Sequence, residues 1–264
     1  MVLLGIVLIA DAVMTAAWED PFSSLTTRSA QKALSKELAA DERAPLPFET
    51  LAAIERLVTR EQRMAALAKR LRKRTKGGHA LGRISIPKAH SRFVFVSGTI
   101  AKELKKGPGH YRDTPLPGEH GTIGLAGHRT TYAAPFRRLN RLRRGDPILV
   151  TMPYGRFRYR VEGSRVVQPT TVSVLRYVGY ERLVLTTCHP LFSSKRRLVV
   201  TARLESVRAR GIALKGRAGS GRRARRSRAH GKREHARHRA KAAHRKHKRD
   251  GRRAAHHRRK HKRR

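Results

Sequence analysis

The sequence predicts a mainly β fold, a closed barrel or a sandwich, and three observations carry that expectation. Short β-branched and aromatic runs recur between residues 82 and 204, punctuated by Gly and Pro. About eight such strands fall in this stretch, the spacing of a barrel or sandwich and not of alternating βα units. The helical runs between them are brief, and no internal repeat is visible.

The elements follow in order. Arg83-Ile84-Ser85-Ile86 alternates with period two and stops at Pro87. Phe93-Val94-Phe95-Val96 is continuously apolar, as in a strand buried on both faces. Residues 99–106 read as a short helix ended by Gly107-Pro108-Gly109, and 122–126 as a strand. Residues 136–143 read as a second short helix, ending at Gly145. Strands over 147–152 and 157–161 form a hairpin about Pro153-Tyr154-Gly155. Val166-Val167, 182–187 and 198–204 supply the rest.

The flanks differ in kind. Residues 1–18 are mainly apolar, with Asp11 the one charge, close to the lower limit of about 17 residues for a spanning helix. The run lacks the basic start of a signal peptide, and Trp18 sits where interfacial aromatics belong, so an uncleaved membrane anchor is expected. No Lys or Arg precedes it and many follow, against this orientation; either the true start lies upstream or the long domain translocates regardless of charge, and the β-rich region is expected outside the cell. Residues 19–79 read as a helical spacer, with helices over 28–43 and 49–76. In the second, Leu51, Ile54, Leu57, Val58, Met64, Leu67 and Leu71 recur at helical spacing, and basic residues cover the remainder. A solvated amphipathic spacer is the expectation.

Charge sets the other end apart. The 264 residues carry 62 Lys and Arg against 18 acids, a net +44. Of the 62, 24 lie in 215–264, beside eight of the 14 histidines and only two acids, Glu234 and Asp250. With almost no large apolar residue after Leu214, residues 209–264 are expected to form a disordered basic tail. The tail has no aromatic residue for base stacking, so any hold on nucleic acid would be nonspecific. Outside the cell its partners would be anionic surface polymers. The β-domain is thereby bounded at 80–208.

Cys188 is the one cysteine, so it is either a small apolar core residue or a nucleophile. His189-Pro190 breaks the strand immediately after it, which leaves the sulfur at a strand end. Lys195, Arg196 and Arg197 follow, and nearby cations raise a thiol's thiolate fraction. A nucleophilic cysteine needs a proton acceptor, and acyl transfer needs donors for the developing oxyanion. The candidate bases are His79, His90, His110, His120, His128 and His189. Among them His128 lies just past a strand end in Gly124-Leu125-Ala126-Gly127-His128-Arg129-Thr130. His189 adjoins Cys188, but neighbours in an extended chain point to opposite faces. His110 and His120 sit in Gly/Pro-rich loops and are expected to be exposed. Arg196 and Arg197 return beside Cys188 if their strand pairs with the preceding one; Arg stays protonated and serves as a stabiliser. No Cys or His spacing in the β-domain suggests a metal, and no cofactor is expected.

The order of Gly127-His128-Arg129, Thr186-Thr187-Cys188 and Arg197-Leu198-Val199-Val200 resembles the sortase family of cell-surface cysteine transpeptidases. Ile84-Ser85-Ile86-Pro87-Lys88, Pro108-Gly109-His110-Tyr111, Leu116-Pro117-Gly118-Glu119 and Gly145-Asp146 extend the match over about half the chain, nearest to the actinobacterial class E branch. The resemblance implies an eight-stranded barrel with catalytic His128, Cys188 and Arg197. Arg196 is the substitute for Arg197 in the double arginine, and the Thr187 hydroxyl supports the substrate site. It also implies cleavage after Thr in an L-P-x-T-G or L-A-x-T-G sorting signal of a secreted protein. A thioacyl enzyme would then pass the acyl group to an amine on the cell wall or on a pilus-like protein. Specificity would rest on residues 167–182. The competing function class is a polycationic protein that binds surface polyanions or nucleic acid, with an inert β-domain.

Overall fold

In the computed structural model, residues 21–211 are described. The expected anchor over 1–18 and the basic tail beyond residue 211 lie outside them. Among the described residues no helix is long and apolar enough to cross a membrane.

Eight strands close into a barrel. β1 (Ala80–Ile86) and β2 (Ser91–Ser97) form an antiparallel hairpin that sets Ile84 opposite Phe93. β2 runs parallel to the two-residue β3 (Gly109–His110), which pairs antiparallel with β4 (Thr122–Ala126). β4 runs parallel to β7 (Arg182–His189), and β7 antiparallel to β8 (Arg196–Ala209). β8 pairs with β6 (Gly155–Val167), β6 with β5 (Pro147–Met152), and β5 closes the ring on β1. Val166-Val167, expected as a separate strand, continue β6 past a register shift at Val161/Gly163.

Side-chain alternation sorts these strands into an inside and an outside. Ile123 and Leu125 of β4, Leu183 and Leu185 of β7, and Leu198, Val200 and Ala202 of β8 join the main core. The intervening Val184 and Val199 belong to a second cluster outside the barrel, under Val174 from the 3-10 turn Val172–Leu175. β7 is therefore covered on both faces until it reaches Cys188.

The helical region departs from a solvated spacer. α1 (Pro21–Arg43) buries Leu34 and Leu38 against Ala80, Val94 and Val96. Its Gln31 works on the edge of β2, where β3 is too short to reach. Gln31 Oε1 accepts from Val94 N at 2.7 Å, and Nε2 donates to Val94 O at 2.8 Å and Lys106 O at 2.6 Å. One side chain thus supplies the bonds a missing strand would have made. The expected helix over 49–76 is two, α2 (Phe48–Glu55) and α3 (Arg60–Arg74). Thr59 makes the break, since its hydroxyl accepts from Gln62 N while Gln62 Oε1 accepts from Thr59 N. Arg63 Nη1 closes the gap by donating to Leu57 O and Val58 O. Ile54, Met64, Leu67, Ala68 and Leu71 then pack into the barrel's own core cluster. Each large apolar side chain so buried is worth about 1.5–3 kcal/mol, which holds the helices on the barrel.

Shorter elements shrink relative to expectation. The helix read over 99–106 is α4 (Ala101–Leu104), and that over 136–143 is one 3-10 turn, Leu139–Arg141. His120 is exposed, as its loop suggests. His110 corrects the reading: it is 1 % exposed. Its Nε2 donates to Pro115 O at 3.0 Å, with Thr114 Oγ1 at 3.1 Å, and burial pushes its pKa down to about 4. Those oxygens satisfy the polar edge of a ring that composition alone assigns to solvent.

Candidate active site

Three strand ends meet where β4 and β7 stop and β8 begins. The β4–β7 register runs from Thr122 opposite Arg182 to Ala126 opposite Thr186. Beyond it Gly127 N donates to Thr186 O at 3.1 Å, and Thr187 Oγ1 donates to Gly127 O at 2.7 Å. The pairing thereby carries on toward His128, which stands as far past Ala126 as Cys188 stands past Thr186. On the other side of β7, Cys188 lies directly opposite Arg197 and His189 opposite Arg196. Paired residues share a face, so Cys188 and Arg197 project from one side of the sheet and Arg196 from the other.

Thr187 is buried, with its hydroxyl engaged on Gly127. It ties the two strand ends together instead of facing out. Cys188 is half-exposed on the outer face, in line with Val184 and Thr186. Gly124 leaves room there: a β-carbon would lie 2.7 Å from the Tyr111 ring and 2.8 Å from Leu175. Tyr111 crosses that space, its hydroxyl 2.8 Å from Thr186 Oγ1. Arg197 is half-buried, and its Nη1 donates to Ser194 O at 2.8 Å and Arg196 O at 3.1 Å. Its guanidinium is folded onto its own loop.

His128 begins a tight loop that Phe136 N closes by donating to His128 O at 3.0 Å. Phe136 packs so near Gly127 that any β-carbon there would meet the ring at 2.6 Å. The His128 ring lies 4.8 Å from that of Tyr132, tilted by 42°. Its Nε2 is buried and has no hydrogen-bond partner among the described residues. Burial, and after it the charge of Lys105, lower the imidazole pKa, so the neutral ring is the resting form at neutral pH.

Arg129 is the residue that motif reading passed over. Only 5 % exposed, it donates from Nη1 to Cys188 O at 3.1 Å and to His189 Nδ1 at 2.9 Å. His189 accepts at Nδ1, which leaves its proton on Nε2 and removes it as a base toward Cys188. Burial lowers the Arg129 pKa, and the nearby Cys188 acts in the opposite direction. The guanidinium stays charged and adds a fixed cation beneath the cysteine. The signal for Arg129 lies in the strand pairing and in no local pattern. The constant offset of β4 on β7, once known, sets Arg129 against His189.

Large apolar side chains stand exposed on the two connections beside β7: Val172, Tyr177 and Val178 before it, Leu191 and Phe192 after it. Among the described residues, no group of three or more His, Cys, Asp or Glu side chains is placed to hold a metal ion.

Residues 84–205 match the family model of the sortase domain. This stretch of the chain is a sortase domain. Sortase D of Bacillus subtilis is 40 % identical over 114 residues, which cover 43 % of this chain and 56 % of the relative. Sortase SrtE1 of Streptomyces coelicolor is 36 % identical over 149 residues, covering 50 % of this chain and 42 % of the relative. The expected class E likeness is present, and sortase D stands beside it. The chain spans about half the length of these curated relatives. The solved structure of a Clostridium perfringens Sortase D5 transpeptidase shares the fold, with a TM-score of 0.54 at 24 % identity, over 67 % of this chain and 99 % of that one. The sortase barrel is thus the frame on which His128, Cys188 and Arg197 are brought to neighbouring strand ends.

Proposed function

We propose that the domain is a cysteine transpeptidase with Cys188 as nucleophile, His128 as proton carrier and Arg197 as oxyanion and substrate donor. The observation that supports this reading is the pairing of Cys188 with Arg197 across β7 and β8, with His128 two residues past the last β4–β7 pair, in a sortase domain. Cys188 Sγ bonds to the carbonyl carbon of the threonine in an L-P-x-T-G or L-A-x-T-G signal, and its proton passes to neutral His128. The carbonyl oxygen takes up the negative charge, and Arg197 turns from Ser194 O to donate to it. As the C–N bond breaks, His128 returns the proton to the departing glycine amine. An incoming amine then attacks the thioester carbonyl, His128 takes its proton, and that proton reprotonates the released Cys188 sulfur. Arg129 holds the Cys188 carbonyl throughout and keeps the strand end aligned.

The exposed apolar side chains on both connections give an extended peptide dry contacts for its leucine. In this reading the domain works at the cell surface, tethered through residues 1–18. Residues 209–264, with their run of Lys and Arg, hold the enzyme against anionic polymers. Cleavage of a fluorogenic L-x-x-T-G peptide, with intact-protein mass spectrometry, tests the proposal. The wild type is expected to form an acyl adduct on Cys188, and Cys188→Ala to lose at least about 10³-fold in turnover while folding normally. Cleavage that survives in Cys188→Ala would refute it. A loss of function on removing residues 220–264, with Cys188→Ala silent, would favour a polycationic binding protein.

A further inference from the structure

We propose that α1 belongs to the active-site apparatus: Ser23 clamps the turn at Tyr132, and Tyr132 in turn positions the His128 imidazole. The proposal rests on His128 being the proton carrier of the reading above. It makes Tyr132 and Ser23 positioning residues.

Three consecutive residues of the loop that starts at His128 adopt left-handed backbone angles, with φ of 54° at Tyr132, 58° at Ala133 and 38° at Ala134. None is glycine, and each such residue costs on the order of 1–2 kcal/mol. A run of this kind persists only where the surroundings over-determine it. Two of its constraints are local: Ala134 N donates to Thr131 O at 2.9 Å, and Phe136 N to His128 O at 3.0 Å. The third comes from far along the chain, where Tyr132 N donates to Ser23 Oγ at 2.8 Å. Ser23 lies in the first turn of α1, with no other strand or helix between it and the loop in that bond.

The helix fastens a second contact of the same ring. One turn further on, the fully buried Thr27 donates to Lys105 O at 2.8 Å. Lys105 Nζ stands 5.7 Å from the centroid of the Tyr132 ring, within reach of a cation–π contact. The ring of Tyr132 therefore touches His128 on one hand and Lys105 on the other, and α1 holds the backbone of both Tyr132 and Lys105. Further along, Gln31 anchors the helix on Val94 and Lys106. His128 has no hydrogen bond from Nε2 among the described residues to fix its plane, which leaves the ring contact to do so. Lys105 also opposes protonation of His128, so the same assembly keeps the imidazole ready to accept a proton. Misplacing a reacting group by about 1 Å can cost as much as 10²-fold in rate, so a support of this sort acts on turnover more than on binding.

The test uses the full chain and four variants: Tyr132→Ala, Tyr132→Phe, Ser23→Ala and Cys188→Ala. The readouts are kcat and KM on the L-x-x-T-G peptide, thermal melting, and the ring resonances of His128 in 15N-histidine-labelled protein. Tyr132→Ala is expected to lose about tenfold in kcat with KM changed less than about twofold, and to shift the His128 resonances. Tyr132→Phe restores the ring and recovers most of that loss. Ser23→Ala lowers kcat about threefold in the same manner. Should Tyr132→Ala not fold, Ser23→Ala decides, because its exchange removes one hydroxyl from the helix surface. Folded variants with unchanged kcat and unchanged His128 resonances would overturn the proposal, as would Tyr132→Phe failing alongside Tyr132→Ala. A wild-type chain inert toward the peptide, matched by Cys188→Ala, sinks the transpeptidase reading; the resonances still decide whether α1 positions His128.

Discussion

His110 and His128 are both taken out of water by the barrel, and burial lowers the pKa of each. They differ in what their ring nitrogens meet. Nε2 of His110 rests between Pro115 O and Thr114 Oγ1, and Thr114 Oγ1 also accepts from Gly124 N. Nε2 of His128 is buried without a partner among the described residues, next to a strained turn and two residues past the last β4–β7 pair. Desolvation by itself does not mark a reactive histidine. The distinguishing feature is the unfilled hydrogen-bonding capacity, which a folded chain retains only where something else compensates.

Exchanging the two residues separately breaks or sharpens that contrast. His128→Asn is expected to lower kcat by about 10²- to 10⁴-fold with little change in melting temperature, read by peptide cleavage and calorimetry. His110→Asn is expected to do the reverse, costing about 1–3 kcal/mol in denaturant unfolding with near-normal turnover in the folded fraction. If both exchanges cost stability alone, the two sites are the same kind of site.

Acid separates them as well. The folded-state pKa of His110 is about 4, below the unfolded imidazole value of roughly 6.5. Between those values the unfolded chain binds the extra proton, so stability rises with pH through the window and is fully present above it. Lowering the pH from 7 to 4 should cost about 3 kcal/mol through this one group. Urea titrations across that range test it, because His110→Leu should flatten this component of the slope. An unchanged slope would place the His110 ring in solvent.

Arg129→Lys loses the forked contact to Cys188 O and His189 Nδ1. It should destabilise by about 1.5–3 kcal/mol and slow acylation, measured by unfolding and by the rate of adduct formation on Cys188. Wild-type behaviour in both assays would remove Arg129 from the site. The smallest effect belongs to the other edge of the barrel. Gln31→Ala strips Val94 N of its partner and should cost about 1–3 kcal/mol, with faster hydrogen exchange at Val94.

Much of the barrel was legible because its strands are long enough to show their chemistry. Ile84 to Ile86, Phe93 to Val96 and Leu198 to Leu204 announce themselves through β-branched and aromatic content. β3 does not, since Gly109–His110 has no strand propensity and exists only because β2 and β4 flank it. The burial of His110 was hidden for the same reason, as its oxygen partners are set by a loop fold. The single helix expected over 49–76 failed at Thr59, where a capping box overrides a continuous apolar stripe. The same stripe was real, but reading it as solvated missed the surface it covers. In the site, the strand-end position of Cys188 could be seen from His189-Pro190, whereas Arg129 and Tyr132 had no local pattern to reveal them.

Local chemistry was enough to announce a small β-rich domain carrying one thiol, a histidine past a strand end and a pair of arginines, because propensity and breakers act over a few residues. Which arginine shares the face of the sulfur, which histidine keeps an unfilled nitrogen, and that a helix begun at residue 21 reaches the loop at Tyr132 were decided by strand pairing and packing. The first rests on the near pairing of Cys188 with Arg197, whereas contacts such as Arg129 to His189 and Tyr132 to Ser23 join partners 60 to 109 positions apart, which only closing the barrel brings together.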